Sequence, residues 1–321
     1  MYDVTAIGEL IIDFAFVSDD ADGYPTLTAN PGGAPSNYLA ALSAYGAKTA
    51  LLSKVGADAF GRLLISSLEK EGVETAGVVE DPSVFTTLAF VTLDENGDRS
   101  FSFARKPGAD TCLRFEELKL DLIDQAKVFH FGSLSLTTQP ARLTTQKAVG
   151  YAKARGKMIT FDPNLRAPLW DSREEAKEQI LWGLKQADVV KISDDEVKFL
   201  WECSAQEGAR RLLERCGVKL AMVTMGDKGA WLENDNASVS ADCPAVEVVD
   251  TTGAGDIFGG AAVSRILRLG KAPEELSGKD LAEIASFAVT AASLSTQKKG
   301  GIPSIPGEQE VLLGKTRRND A

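Results

Sequence analysis

The chain has one histidine, four cysteines and no long apolar run, and each shortage excludes a class of protein. His130, inside the run KVFHFGSLSL, cannot build a histidine metal cluster alone, and we expect it to be a packing residue in a buried strand. Cys112, Cys203, Cys216 and Cys243 form no CxxC pair, which predicts reduced, mostly buried thiols. No segment reaches the roughly 18 apolar residues that a membrane span needs.

Positive charge is also scarce. The 321 residues include 35 Lys and Arg against 46 Asp and Glu, a formal net charge of −11, which disfavours a nucleic-acid surface. Lys315, Arg317 and Arg318 lie in a polar tail that we expect to be frayed. The start, MYDVTAIGELIIDF, has no basic n-region and no cleavage-like site. We therefore expect a cytoplasmic protein that binds neither nucleic acid nor a membrane.

Short apolar runs alternate with amphipathic segments along most of the chain. The runs predicted to be strands are DVTAIGE, TALLSKVG, AKVFHFG, KMITFDP, ADVVKIS and KLAMVTMG. Apolar residues at i, i+3 and i+4 predict helices over APSNYLAALSAYG, DAFGRLLISSLEKEG, PARLTTQKAVGYAKARG and REEAKEQILWGLKQ. This rhythm is typical of an α/β protein whose mostly parallel sheet is covered on both faces by helices. Since no linker interrupts it, we expect a single domain over residues 1–321.

Two segments break the rhythm. LIIDFAFVSDDADGYPTLTANPGG has period-two runs and no helix, and VFTTLAFVTLDENGDRSFSFA has two strand patterns around the turn ENGD. We predict that residues 10–31 and 84–106 form a small antiparallel sheet. It is either a lid that excludes water from a reaction or an ordinary edge hairpin, and the pattern does not separate the two.

The glycine-rich stretch DTTGAGDIFGG, Asp250 to Gly260, is the strongest indication of chemistry. We expect the backbone N–H groups of Gly253, Ala254 and Gly255 to lie at a helix start, where free donors and the helix dipole favour an anion. The glycine spacing fits neither the dinucleotide-binding fingerprint nor a Walker loop. Asp256 is then a candidate general base for a hydroxyl nucleophile, and its alternative role is a helix cap.

DTTGAGDIFGG resembles the signature of the ribokinase-like (phosphofructokinase B-type) sugar kinases. NPGGAPSNYLAAL, residues 30–42, resembles the sugar-binding segment of that family, and the resemblance runs from about residue 3 to 306. The stretches SFSFARKPGAD, KVFHFGSLSL, FDPNLRAPLW and VKISDDEVKFL are most similar to fructokinases of bacteria and plants. The resemblance implies a three-layer α/β/α sandwich with a β lid. It also implies transfer of the ATP γ-phosphoryl group to the C6 hydroxyl of D-fructose.

The resemblance assigns roles by position. Asp256 matches the catalytic base, and Gly253, Ala254 and Gly255 match the anion hole for the γ-phosphate. Residues matched to the sugar and phosphate side are Asp13, Gly32, Gly33, Asn37, Arg105, Asn164 and Arg166. Those matched to the nucleotide and its Mg²⁺ are Ser193, Glu196, Thr224, Gly226 and Gly229. Those matched to a monovalent cation, usually K⁺, are Asp250, Thr252, Ser295, Lys298, Gly300 and Ser304.

The chain departs from the family at two nucleotide positions. Ser193 replaces an asparagine of the family's Asn-x-x-Glu, as in many fructokinases, and Val289 stands where relatives usually have an asparagine near the adenine. The departure at Val289 leaves open how the chain contacts adenine, and therefore whether it strictly prefers ATP over other nucleotides.

Two rival functions stay open at this stage. A kinase for another small sugar, chiefly 2-keto-3-deoxygluconate, would bind the substrate's carboxylate with Arg105 or Arg166. A non-catalytic sugar or nucleotide sensor would not need Asp256. The expected partners are a small sugar and ATP. A homodimer that pairs lid edges is also possible, through apolar residues such as Phe14, Phe16, Phe90 and Val91.

Overall fold

The computed structural model describes residues 1–93 and 99–319, without the side chains of 91–93, 99–101 and 316–319. Its strands are β1 Tyr2–Ile7, β2 Ile11–Asp19, β3 Pro25–Gly32, β4 Thr49–Gly56, β5 Val73–Glu74, β6 Val78–Asp81, β7 Leu88–Leu93, β8 Arg99–Ala104, β9 Ala126–Gly132, β10 Met158–Asp162, β11 Val189–Ser193, β12 Leu220–Thr224, β13 Ala230–Glu233 and β14 Ser238–Ala241. Its helices are α1 Ala34–Ala44, α2 Ala59–Lys70, α3 Leu120–Asp124, α4 Ala141–Ala154, α5 Arg173–Leu184, α6 Asp194–Trp201, α7 Ala205–Cys216, α8 Ala254–Leu269, α9 Gly278–Ser295 and α10 Glu308–Asn319.

The larger sheet has the order β14-β13-β12-β11-β10-β9-β1-β4-β5, with β6 also paired to β4. Its pairs are parallel from β12 to β5, and β13 and β14 continue it antiparallel. Adjacent residues of one strand face opposite sides: Val128 joins the apolar core under α1, α8 and α9, and Phe129 joins the core under α4, α5 and α7. The predicted mostly parallel sheet between two helical layers is confirmed.

The smaller sheet has the order β3-β2-β7-β8 and comes from the two segments that lack helical periodicity. Its outer pairs, β2–β3 and β7–β8, are antiparallel, as the alternating pattern predicts, whereas the central pair β2–β7 is parallel. Two hairpins distant in sequence are thus joined side by side. The turn ENGD, predicted to connect β7 and β8, falls at residues 95–98 and lies outside the described residues.

The aromatic residues predicted for a lid edge are mostly engaged by the protein itself. Phe14 stacks on Phe90 with ring centroids 5.2 Å apart, and its edge contacts Phe60 of α2 at 5.6 Å. These contacts tie the small sheet to the body of the protein. Val91 was predicted beside them, and its side chain is not among those described.

The C-terminal segment, the cysteines and His130 were also the subject of predictions from the sequence. The C-terminal segment is helix α10, and Glu308 at its start pairs with Arg268 Nη1 at 2.5 Å, which anchors the beginning of the helix. The fraying expected around Lys315, Arg317 and Arg318 stays a prediction. All four cysteines are free and partly buried. His130 is buried as expected: it stacks on Tyr38 at 3.8 Å, and burial lowers its pKa to about 3.

Within the described part of the chain, no helix is both long and apolar enough to cross a membrane.

Candidate active site

The carboxyl ends of parallel strands place polar side chains around one cavity of about 510 Å³. Open α/β sheets bind ligands at this edge because loops from several strands converge there. The cavity wall draws on the loops after β1, β9 and β10, on Lys191 within β11, on the start of α1, on the small sheet and on the start of α8. The predicted site residues in this wall are Asp13, Gly33, Asn37, Asn164, Arg166, Thr252, Gly253, Gly255 and Asp256.

Asp256 lies in the first turn of α8 and is buried in this wall. Its Oδ2 accepts a 2.8 Å hydrogen bond from Nδ2 of Asn37, which lies in the first turn of α1. The helix cap is Gly253, and Asp256 makes no side-chain capping bond there, so the capping role does not account for Asp256. Burial raises the pKa of Asp256, against the opposing effects of Lys191, Asn37 and Arg166. A carboxylate with a raised pKa suits a general base.

Lys191 is a buried cation beside Asp256 that the sequence analysis did not select. Its Nζ pairs with Asp162 Oδ2 at 3.0 Å, and both residues are more than 90% buried. Burial favours the neutral amine, but Asp162, Glu196 and Asp256 outweigh it and raise the pKa of Lys191. The lysine therefore stays charged. The sequence carried a clue, because a lysine inside the apolar strand ADVVKIS must have a buried partner.

The start of α8 has the form expected of an anion hole, with one difference. Gly253 is the N-cap in the left-handed region, φ 76°, which favours glycine, and α8 begins at Ala254. The first amides of a helix have no carbonyl one turn back to accept from them. Ala254 differs from this expectation, since its amide donates to Thr251 O at 3.3 Å. Gly255 lies against the lysine: a Cβ atom there would be 2.8 Å from Lys191 Nζ.

Asp13 and the glycine turn before α1 form another part of the cavity wall. Burial raises the pKa of Asp13 to about 7, with Arg166 opposing the rise. Gly32 lies against this carboxylate, since a Cβ atom there would be 2.0 Å from Asp13 Oδ2. Gly33 has φ 108° and caps α1, and a Cβ atom at Gly33 would lie 2.4 Å from Glu9 O. The turn therefore needs a residue without a side chain, because its backbone passes so close to the loop after β1.

A second cavity, of about 470 Å³, lies on the other side of the glycine turn. It is lined by the predicted nucleotide residues Thr224, Gly226 and Gly229, and by an apolar group that comprises Pro244, Val246, Val248, Val289 and Ala292. Ala254 belongs to this wall as well. Thr251 and Gly255 line both cavities. Two ligands bound in the two cavities would therefore meet at Gly255, next to Asp256.

The two arginines matched to the sugar side occupy different places. Arg166 lines the first cavity and Asn164 lies beside it, with φ 43° and its amide bonded to Asp162 Oδ1 at 3.1 Å. Arg105 does not line that cavity but an adjoining one of about 720 Å³. Its guanidinium binds Asp110 through Nε at 2.9 Å and Nη2 at 2.7 Å, and also donates to Thr137. The structure therefore does not bring Arg105 together with the other predicted sugar residues.

Ser193 and Glu196 also lie outside the walls of both cavities. They form a capping box at the start of α6: Glu196 Oε2 accepts from Ser193 N at 2.8 Å and from Ser193 Oγ at 2.9 Å. Glu196 Oε1 accepts from Leu165 N at 2.7 Å, which ties α6 to the loop of Asn164 and Arg166. In this structure both carboxylate oxygens serve the fold.

The residues matched to a monovalent cation lie on two loops that Asp250 joins. Asp250 Oδ1 accepts from Thr252 Oγ1 at 2.7 Å, and Oδ2 accepts from Gly300 N at 2.8 Å. The hydroxyls of Ser295 and Ser304 donate to carbonyls of their own turns, at Ala292 and Gly301. The Lys298 amide donates to Ser295 O at 3.1 Å. Carbonyl oxygens of these converging loops suit a hard monovalent cation better than the hydroxyls do.

Comparison with known proteins agrees with this geometry. Residues 1–308 match the model of the pfkB family carbohydrate kinases. The chain belongs to that family, and the predicted membership is confirmed. It is 42% identical over 313 residues to fructokinase-1 of Zea mays, which covers 96% of this chain and 96% of the relative.

Solved structures with the same fold include two bacterial fructokinases. The Xylella fastidiosa fructokinase with bound ATP has a TM-score of 0.90 and 28% identity, over 99% of this chain and all of the other. The Vibrio cholerae O395 fructokinase, a double mutant with bound fructose, ADP and a potassium ion, has a TM-score of 0.86 and 30% identity, over 98% of each chain.

Proposed function

We propose that this carbohydrate kinase is an ATP-dependent fructokinase, which forms fructose 6-phosphate and ADP. One observation carries the proposal most directly: a polar cavity with a buried carboxylate and an apolar cavity share the wall formed by Thr251 and Gly255. Such an arrangement would allow a sugar hydroxyl and a nucleotide phosphate to lie on either side of one glycine turn. The fructokinase names of relatives at about 40% identity support fructose as the sugar.

In the proposed reaction Asp256 takes the proton from the C6 hydroxyl of fructose. The oxygen attacks the γ-phosphorus of ATP, a new O–P bond forms, and the bond from the γ-phosphorus to the β,γ-bridging oxygen breaks to release ADP. Amides at the start of α8 and the Lys191 ammonium group lie where they would stabilise the negative charge of the transferring group. Asn37 orients Asp256 through its 2.8 Å hydrogen bond.

On the sugar side, Asp13 and the turn at Gly32 and Gly33 would hold the hydroxyls of fructose, with Arg166 and Asn164 across the cavity. Phe103 and Ile11 of the small sheet line the same cavity. We infer that this sheet is the lid, which closes over the sugar and keeps water away from the phosphoryl group.

On the nucleotide side, Thr224, Gly226 and Gly229 would contact phosphate and ribose, and the apolar wall around Val289 would pack on the base. Mg²⁺ would supply charge neutralisation on the ATP phosphates. Because Glu196 spends both oxygens on Ser193 and Leu165, it fits a role through water better than direct ligation. A potassium ion would sit among oxygens of the two loops joined by Asp250, and would strengthen the field of the anion hole from its far side.

The rival sugar acid fits this cavity less well than fructose. A carboxylate needs a cation that can still donate hydrogen bonds, and Arg105 lies in another cavity, where its Nε and Nη2 both donate to Asp110 Oδ2. That leaves Arg166 alone for a 2-keto-3-deoxygluconate carboxylate. A non-catalytic sensor would have no use for a buried base held by Asn37 beside a charged lysine.

The proposal is tested by a coupled ADP-release assay over fructose, mannose, ribose, ketodeoxygluconate and nucleosides, with and without K⁺. We expect the highest kcat/KM with fructose and a stimulation by K⁺. Activity confined to a nucleoside or to the acid sugar would refute the proposed substrate.

A lid-mediated homodimer and a cytoplasmic location stay predictions. Val17 and Tyr24, at the outer end of the β2–β3 hairpin, are 46% and 69% exposed and offer apolar surface for such a dimer. Sedimentation that finds only monomer at micromolar concentration would reject the dimer.

A further inference from the structure

The cavity of about 510 Å³, in which we propose that the sugar binds, is called the sugar cavity. Its wall includes a carboxylate that has no role in the proposed function. Glu9 follows β1, is 2% exposed, and lines the cavity together with Asp13, Asn37 and Asp256. A buried carboxylate is costly unless hydrogen bonds or charges compensate it. The two oxygens of the Glu9 carboxyl group have different surroundings.

One side of Glu9 supports the turn that begins α1. Its Oε1 accepts a 2.9 Å hydrogen bond from the backbone amide of Ala34, and its main-chain oxygen accepts from Ser36 Oγ at 3.4 Å. Gly33 passes so close that a Cβ atom there would lie 2.4 Å from Glu9 O. Since Asn37 reaches Asp256 from the first turn of α1, Glu9 helps to place the group that orients the proposed base.

The other side of the carboxyl group is not used by the protein. Glu9 Oε2 is buried and has no hydrogen-bond partner among the described residues, and the same holds for Asn37 Oδ1 in the same cavity wall. Buried polar atoms in native proteins nearly always have partners, so an orphaned oxygen in a cavity wall points to a ligand that completes it. A sugar is such a ligand, because it carries several hydroxyl donors.

We propose that Glu9 is a substrate-binding residue, whose Oε2 bonds a hydroxyl of the bound sugar while Oε1 holds the Ala34 turn in place. This rests on the proposed function only in that the cavity holds a sugar. A residue that binds ground state and transition state alike changes KM and leaves kcat nearly unchanged.

The test compares Glu9→Gln with Ser36→Ala. Glutamine keeps an oxygen for the Ala34 amide and replaces Oε2 by an amide group, whereas S36A loosens the same turn without removing any group from the cavity wall. Burial raises the pKa of Glu9 to about 7, so sugar binding is measured at pH 8, where Glu9 is mainly ionised. There we expect E9Q to raise the Kd of the sugar, by titration calorimetry, about tenfold, as for loss of a hydrogen bond to a charged group. The KM for ATP, the Tm and kcat should stay close to those of the wild type, and S36A should bind sugar normally.

Deoxy sugars then identify the hydroxyl. For one monodeoxy analogue of the substrate we expect wild type to bind about tenfold more weakly, and E9Q to bind analogue and parent sugar equally. Equal sugar affinity of E9Q and wild type, or equal losses for every analogue in both proteins, would overturn the proposal. If E9Q is unfolded in the thermal scan, Glu9→Asp, which keeps the charge and shortens the reach, is compared in the same way.

Failure of the proposed function is distinguishable from failure of this inference. If wild type does not phosphorylate fructose, fructose is the wrong substrate, and the Glu9 comparison is run with whichever sugar of the panel is phosphorylated.

Discussion

The two cavities meet at Gly255, yet their walls have opposite chemistry. The sugar cavity presents the carboxyl groups of Glu9, Asp13 and Asp256 together with the cations Lys191 and Arg166. The cavity of about 470 Å³ proposed for ATP, called the nucleotide cavity, is lined mainly by apolar side chains. If the ligands bind as proposed, one glycine turn separates a site that recognises its ligand through hydrogen bonds to charged groups from a site that recognises it through apolar packing.

The difference has an energetic consequence. A hydrogen bond to a charged group contributes about 1.5–3 kcal/mol, whereas one buried methylene contributes about 0.8 kcal/mol. We therefore expect substitutions on the sugar side to have large and specific effects, and those on the nucleotide side to be tolerated unless they fill the cavity.

The largest expected effect is that of Asp256→Asn. The amide preserves the shape of the side chain but cannot take the proton from the sugar hydroxyl, so kcat should fall about a thousandfold, within the range typical of a lost general base. Sugar affinity should be retained. Steady-state kinetics and titration calorimetry with fructose measure both quantities.

Asp227→Asn is the matched control on the other side of the turn. Asp227 lines the nucleotide cavity and is exposed, so the same chemical change should leave kcat within about twofold of wild type, as for a surface substitution. Normal turnover of D256N would contradict the mechanism. Equal losses of kcat in both variants would show that the two cavities do not differ in their sensitivity to this substitution.

The second effect concerns Lys191→Met and the pH profile. The Lys191 charge holds down the raised pKa of Asp256, so its removal should raise that pKa further. Because the base must be deprotonated, the acid limb of kcat/KM should move to higher pH. Lost stabilisation of the phosphoryl group should also lower kcat about a hundredfold at the optimum.

Asp162 loses its partner in this variant, so stability must be controlled. An unpaired buried charge destabilises by about 3–5 kcal/mol. The double variant Lys191→Met with Asp162→Asn leaves no unpaired charge at position 162 and should show the same shift of the acid limb. Lys198→Met, at an exposed lysine of α6, should leave the profile in place. An unmoved limb in both Lys191 variants would show that the lysine is structural.

How far the sequence predicts the molecule also differs between its parts. Strong periodicity and the contiguous motif DTTGAGDIFGG suffice for the layered fold and for the neighbourhood of Asp256. Two things were not predictable from local pattern. The first is that Arg105 pairs with Asp110, only five residues further along the chain. The second is that the roles of Lys191 and Glu9 emerge only when β11 and the loop after β1 are placed next to α8 and α1. Pairing across the fold is a property of packing, which single-segment patterns do not contain.

The third prediction fills the nucleotide cavity. Ala292 is half-buried on α9 and lines the cavity, so Ala292→Trp should occupy the space of the base and raise the KM for ATP about tenfold, comparable to loss of a well-packed contact surface. The KM for fructose should not change. Ala282→Trp, on the exposed face of the same helix, is the control for the added bulk. A rise in both KM values would mean that the two cavities do not act separately.

The smallest expected effect is that of Val289→Asn, which adds a hydrogen-bonding group to the apolar wall. An amide can donate to and accept from the edge of adenine, whereas valine offers only packing, so the ratio of kcat/KM for ATP over GTP should rise about threefold, equivalent to a weak net hydrogen bond. Val289→Thr, with nearly the same shape and one hydroxyl, is the matched control and should change the ratio less. An unchanged ratio in V289N would place the base away from Val289, and the apolar wall would then select nucleotides through shape alone.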